Sequence, residues 1–232
     1  MMNLDEFEAQ LDALDKEVTH AEDMVEINKV INTYYQYFQG ADCNGITKNI
    51  QWDADRVWSD CGMACRMVGS RANLEFFDQR PAVARLRGSL VQHESTSKVV
   101  EIAKDGMTAK STSYSPGYKC LAQGHSQVWS MAKTGHDLIK MDGVWKIWHW
   151  HWVVVTEMEA AYGILYQNRS YWKECMFDEL EGIHNGNITV PPEPAAPTEN
   201  YRRNGSMYMF PEPPEPYDTY TEPTTLNYTR KY

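Results

Sequence analysis

The stretch Asp142-Gly143-Val144-Trp145-Lys146-Ile147-Trp148-His149-Trp150-His151-Trp152 constrains the fold of this chain more than any other. Asp-Gly is a strong turn dipeptide, because glycine takes positive φ without steric cost. The residues after it are aromatic, β-branched or histidine, which predicts a strand. Side chains alternate along a strand, so Trp145, Ile147, His149, His151 and Val153 are expected on one face. Lys146, Trp148, Trp150, Trp152 and Val154 are expected on the other. Neither set suits bulk water. This reading gives a sheet with a pocket on the histidine face and a subunit contact on the tryptophan face.

The chain has 232 residues, enough for one domain with extensions or for two small domains. Its formal charge of −10 argues against nucleic-acid or anionic-membrane partners, since phosphates demand clustered Lys and Arg. No apolar run reaches transmembrane length, and the acidic start Met-Met-Asn-Leu-Asp-Glu is unlike a signal peptide. The cysteines, Cys43, Cys61, Cys65, Cys120 and Cys175, are odd in number and scattered. They read as reduced thiols of a cytoplasmic protein without a structural metal.

Leu4, Phe7, Leu11 and Leu14 recur at helical spacing and predict a short amphipathic helix. A second helix is expected over about 21–38, with Tyr34 near the end of its apolar stripe and Gly40 as its stop. Residues 52–69 suit a hairpin turning near Gly62. Ser70 caps a helix that Pro81 is expected to interrupt. Strands follow over 89–102, 107–121 and 125–141, the middle one bent at Pro116-Gly117, before the opening run. Helical spacing returns over 156–180. Helices followed by a strand meander give an α+β organisation rather than βαβ alternation. Nine of the eleven prolines lie between Pro191 and Pro223, interleaved with tyrosines. That composition predicts an extended arm lying on its own subunit or on a neighbour. The expected division is a domain over 1–156, a helical extension over 157–182 and an arm over 183–232.

No phosphate-binding glycine loop, His-Glu-x-x-His or Gly-x-Ser-x-Gly is present. Three histidines, His93, His149 and His151, read as structural or acid–base groups rather than metal ligands. A pocket of histidine, tyrosine and lysine suits proton transfer without a cofactor.

Two amphipathic helices, a hairpin, a capped helix and a meander ending in Asp142-Gly143-Val144-Trp145-Lys146-Ile147, with Gln92-His93 opening a strand, resemble the SnoaL-like branch of the nuclear-transport-factor-2-like superfamily. The resemblance spans about residues 20–156. It implies a cone-shaped α+β barrel, a strongly curved and mainly antiparallel sheet wrapped round N-terminal helices. A C-terminal helix and the proline-rich arm would add to it. It also implies a homo-oligomer, with a trimer favoured. His93 falls where scytalone dehydratase, the bile-acid dehydratase and the hexachlorocyclohexane dehydrochlorinase carry a catalytic histidine. Tyr34 matches a pocket tyrosine, and Tyr118 lies near a second catalytic histidine. Gln39 stands where those enzymes place an aspartate, so the usual dyad is absent at that position and Tyr118 and Lys119 are expected to share the proton work.

In length, aromatic content and proline-rich C-terminus the chain also resembles lyases that release formaldehyde from lignin-derived diarylpropane diols. The resemblance thus implies a phenolic aromatic substrate and no cofactor. His93, Tyr118, Lys119 and Tyr34 would be catalytic, with Trp58, Tyr114, His149 and His151 lining the substrate pocket. A dehydratase or isomerase of an alicyclic or polyketide-like substrate, and a ligand-binding module without catalysis, remain as alternatives.

Overall fold

The computed structural model describes residues 3–40, 43–50, 54, 56–60, 65–84, 90–120, 127–159, 189–190, 193–194 and 211–221. In chain order the described elements are α1 (Leu4–Gln39), α2 (Cys43–Asn49), β1 (Trp58–Asp60), β2 (Cys65–Val68), α3 (Ser70–Ala84), β3 (Leu90–His93), β4 (Thr96–Ile102), β5 (Thr108–Cys120), β6 (Gln127–Met141), β7 (Val144–Glu159) and β8 (Glu193–Pro194). No described helix is long and apolar enough to cross a membrane.

The strands form one sheet in the order β3-β5-β6-β7-β1-β2-β8, with β4 also on β5. Every pairing is antiparallel except β1 with β7. It is a strongly curled mixed sheet wrapped round helices, the expected α+β cone. Strands β3 and β4 lie end to end along one edge of β5, separated at Glu94-Ser95. Pro116 sits opposite that gap, where the Glu94 N–H donates to its carbonyl. The N–H that proline lacks would point to the same side as its carbonyl. It therefore faces the break, and β5 keeps its pairing with β6 through Pro116-Gly117, the place where a bend is expected.

Helix α1 is continuous over 36 residues, where two helices were expected. Nothing between Leu14 and Ala21 breaks a helix, since the stretch holds neither proline nor glycine. Asn3 and Glu6 close a reciprocal capping box at its start. Its C-terminal half buries Ile27, Ile31, Tyr34 and Tyr35 against the concave face of the sheet, together with Phe76 and Phe77 of α3 and Ile147, Trp150 and Trp152 of β7. Each such large side chain contributes about 1.5–3 kcal/mol on burial. Asp23 anchors the helix by accepting from Trp145 Nε1 at 2.7 Å and Lys140 Nζ at 2.8 Å. Helix α3 continues past Pro81, which removes one backbone donor rather than ending the helix.

The face assignment for β7 changes at one residue. Asp137 pairs with His149, but its neighbour Leu138 pairs with Ile147. Trp148 is the extra residue of a β-bulge, and a bulge shifts the alternation by one. Trp145 and Ile147 face the concave side, and beyond the bulge Trp150, Trp152 and Val154 do so instead of the histidines. His149 and His151 turn to the outer face. The predicted tryptophan contact face is therefore the core. Residues 156–159, expected to open a helix, extend β7, and the rest of that expected helix lies outside the described residues.

Candidate active site

The concave face gathers its polar chemistry where β3, β5 and β6 run side by side. His93 pairs with Gly117 across β3–β5, and Gly117 pairs with Ser130 across β5–β6. The His93 ring lies over Gly117. A Cβ added at that glycine would stand 2.5 Å from His93 Nδ1 and 2.1 Å from the Gln92 carbonyl oxygen. Only glycine admits the imidazole there. His93 is 3% exposed. Its ring meets Trp152 edge-on with centroids 5.3 Å apart and Phe38 at 6.1 Å. Phe38 stacks at 6.0 Å on Tyr34, one helical turn earlier on α1. Lys119 shares the inward parity of Gly117, and its Nζ lies 4.7 Å from the centre of the Trp152 ring. Among the described residues the buried Ser130 hydroxyl has no hydrogen-bond partner. It faces the concave side one strand beyond the His93 ring.

Gln39 Nε2 donates to the backbone carbonyl of His93 at 2.6 Å. The side chain at the position expected to hold an aspartate thus ties strand β3 to helix α1. It fixes where His93 stands and brings no negative charge to the imidazole. Deeper on this face, Tyr35 donates to Thr134 Oγ1 at 3.0 Å, and Thr134 meets Ser113 at 2.7 Å. Burial pushes the Tyr35 hydroxyl up to about 12. Burial, aided by the Lys98 charge, pushes His136 down to about 3, so that ring is neutral inside.

At the rim, a groove of about 570 Å³ is lined by Leu90, Tyr118, Lys119, Cys120, Val128 and Trp129 among others. Tyr118 and Trp129 have their ring centroids 5.6 Å apart, and both side chains are partly exposed. Lys119 therefore lines the groove and touches the ring that packs on His93.

The outer face carries a second constellation. His149 Nδ1 lies 2.9 Å from Asp137 Oδ2, and its Nε2 lies 3.1 Å from the Arg56 carbonyl oxygen. The Tyr220 hydroxyl donates to Asp137 Oδ2 at 3.0 Å and lies 3.1 Å from His149 Nδ1. Trp58 and Trp148 stack on the His149 ring, at 4.8 and 4.3 Å. Asp60 lies between His151 Nδ1 at 3.2 Å and Arg66 at 3.4 Å, and that guanidinium sits 4.0 Å over Trp58. Residues 211–221 of the arm run over this face. Lys133 donates to the Pro211 carbonyl, the Lys104 N–H to the Tyr217 carbonyl at 3.0 Å and the Asp105 N–H to the Asp218 carbonyl at 3.2 Å.

Of the residues singled out in the sequence, His93, Lys119 and Tyr34 come together on the concave face. Tyr118 has the opposite parity from Lys119 and reaches only the rim groove. Tyr114 pairs with Lys133 on the outer side, where the Lys133 ammonium sits 5.3 Å over its ring. His149 and His151 are buried on the outer face, because the bulge at Trp148 reverses the alternation on which their pocket placement depends, and Trp58, paired with His149 across β1–β7, is buried there with them. Trp152, expected on the contact face, and Phe38, at the end of the helix expected over 21–38, wall His93 instead. Asp137 went unremarked, although one carboxylate between His136 and Leu138 in a strand was a visible signal.

The sequence model of the SnoaL-like domain family matches residues 19–151, more than half the chain. The chain belongs to that family. No curated protein matches it in sequence. Among solved structures, a Novosphingobium aromaticivorans protein bearing the provisional name scytalone dehydratase is similar with a TM-score of 0.54 at 12% identity, over 66% of this chain and 93% of that one. A hexachlorocyclohexane dehydrochlorinase from Novosphingobium barchaimii is similar with a TM-score of 0.54 at 12% identity, over 63% and 95%. A protein from Streptomyces avermitilis, provisionally named a dehydratase of the NTF2-like family, has a TM-score of 0.50 at 15% identity, over 58% and 97%. At these identities the likeness is one of fold, and it places the SnoaL-like cone on independent footing.

Proposed function

We propose that this protein is a cofactor-independent lyase acting on a phenolic, lignin-derived aromatic dimer, a 1,2-diarylpropane-1,3-diol. The observation that carries the reading is the position of His93. It is a buried imidazole laid over a glycine, walled by Phe38 and Trp152, with the Lys119 ammonium over the Trp152 ring. Flat rings suit such walls. The rim groove supplies room for the second ring.

In the proposed reaction His93 protonates the leaving benzylic hydroxyl as the para-phenolate pushes electrons to form a quinone methide, and water departs. His93, now neutral, takes the proton of the primary alcohol. The bond between the primary-alcohol carbon and the central carbon of the propane chain breaks, formaldehyde leaves, and the electron pair returns through the new double bond to the phenolate. A stilbene, water and formaldehyde balance the diol consumed. Lys119 would stabilise the phenolate, and Tyr34 and Ser130 would position hydroxyls. The quinone methide is the electron sink, so these steps call for no cofactor.

Incubation with a phenolic diarylpropane diol should release formaldehyde and stilbene in equal amounts. His93→Ala should keep the fold and lose at least about 100-fold in turnover. Near-normal turnover in that variant would remove His93 from the mechanism. The fold shared with proteins named dehydratases favours a second reading, loss of water alone. Product that retains every carbon, with no formaldehyde, would select it.

A further inference from the structure

The N-terminal half of α1 has an apolar face that its own domain does not use. Leu4, Phe7, Leu11, Leu14, Val18, Ala21 and Val25 recur at alternating intervals of three and four over three heptads. The large ones range from 46% exposed (Phe7) to 69% exposed (Leu4). All residues from Asn3 to Glu22 are exposed. The helix turns a different stripe, Asp23, Ile27, Ile31, Tyr34 and Tyr35, to the sheet. Val25 stands on the other side, so the heptad seam points away from the domain even where the two overlap. A strict 3.5-residue repeat keeps its seam aligned only with a second helix of the same period.

We infer that this stretch pairs in parallel with the same stretch of a second copy of the chain, as a coiled coil about three heptads long. The flanking residues choose the direction. With Leu4, Leu11, Val18 and Val25 at position a, the g positions are Asn3, Gln10 and Glu17, and the e positions are Glu8, Asp15 and Glu22. A parallel pair sets Asn3 by Glu8 of its partner, Gln10 by Asp15 and Glu17 by Glu22, so one contact in three opposes like charges. An antiparallel pair sets e against e, with Asp15 facing Asp15 and Glu8 facing Glu22, and every one of those contacts is repulsive. The capping box at Asn3 and Glu6 secures the free end of the helix. An isolated stretch this long is otherwise marginal in water.

Sedimentation of the full chain over a concentration series provides the test. The wild type should associate, and the pair Leu11→Asp with Leu14→Asp should weaken association at least roughly 100-fold, since two large seam side chains are lost. The domain should stay folded, because neither side chain packs on it, while the helical circular-dichroism signal falls as the unpaired segment frays. Glu17→Lys turns the single repulsive contact attractive and should tighten association roughly threefold to fivefold. A monomeric wild type, or aspartate variants that associate like it, would overturn the inference. A Glu17→Lys chain no tighter than wild type would overturn the parallel arrangement.

Discussion

The two faces of the sheet each hold a buried histidine among aromatic rings, yet they hold it differently. On the outer face His149 has an oxygen opposite both ring nitrogens, Asp137 and Arg56, with Tyr220 closing over the carboxylate. A ring so clamped is held as part of the structure, and the value of the contact lies in what its removal would leave unpaired. On the concave face His93 is placed by its backbone, through Gln39, and by packing over Gly117 against Phe38 and Trp152. Burial by itself does not separate a catalytic imidazole from a structural one.

That contrast can be broken by mutation. The largest expected effect is Asp137→Ala, which removes the carboxylate that both the buried His149 ring and the Tyr220 hydroxyl meet. Breaking a buried pair in this way costs about 3–5 kcal/mol. Urea denaturation should report that loss while the turnover per folded molecule stays within about twofold of wild type. His93→Ala should give the reverse pattern, lost turnover with stability little changed. If Asp137→Ala abolished turnover in molecules still folded, the outer cluster would have to be part of the site.

The next effect is one of pH. The His136 ring is held down to about 3 in the fold and titrates near 6.5 once unfolded. Between those values the unfolded chain binds the extra proton, so stability is complete above about 6.5 and falls as pH drops toward 3. The slope from this one group is at most about 1.4 kcal/mol per pH unit. His136→Leu should flatten the stability profile in that window. An unchanged profile would place the acid sensitivity elsewhere. Tyr220→Phe should have the smallest effect, a loss of about 0.5–1.5 kcal/mol for one hydrogen bond. It should also raise proteolysis of the arm near residues 211–221. An arm no more accessible than in the wild type would mean that the backbone contacts of Tyr217 and Asp218 hold it without the hydroxyl.

Much of this was legible in the chain. The Asp142-Gly143 turn, the hairpin before α3 and the meander of long strands follow from local chemistry, and local chemistry does not depend on what packs above it. The family resemblance singles out His93, the Pro116-Gly117 landmark singles out Lys119, and the fold sets both on the concave face. Parity over a long strand is another matter. The alternation in β7 is correct up to Ile147 and inverted after it, because a bulge is decided by pairing with β6 and leaves no mark in the β7 residues themselves. The same non-locality hid the role of Gln39, whose partner is a backbone carbonyl 54 residues away. The break expected in α1 failed for a simpler reason: a polar interval between two apolar stripes marks a change of neighbour and does not end a helix.

The bulge at Trp148 also has an evolutionary consequence. A relative that lost this one residue would read the remainder of β7 in the other frame, sending the histidines inward and the tryptophans out. The cavity and the outer seam would exchange linings through a single deletion, with every other strand unchanged. Gaps at this position in an alignment of SnoaL-like sequences would therefore mark changes of chemistry, even between chains that share all their landmarks.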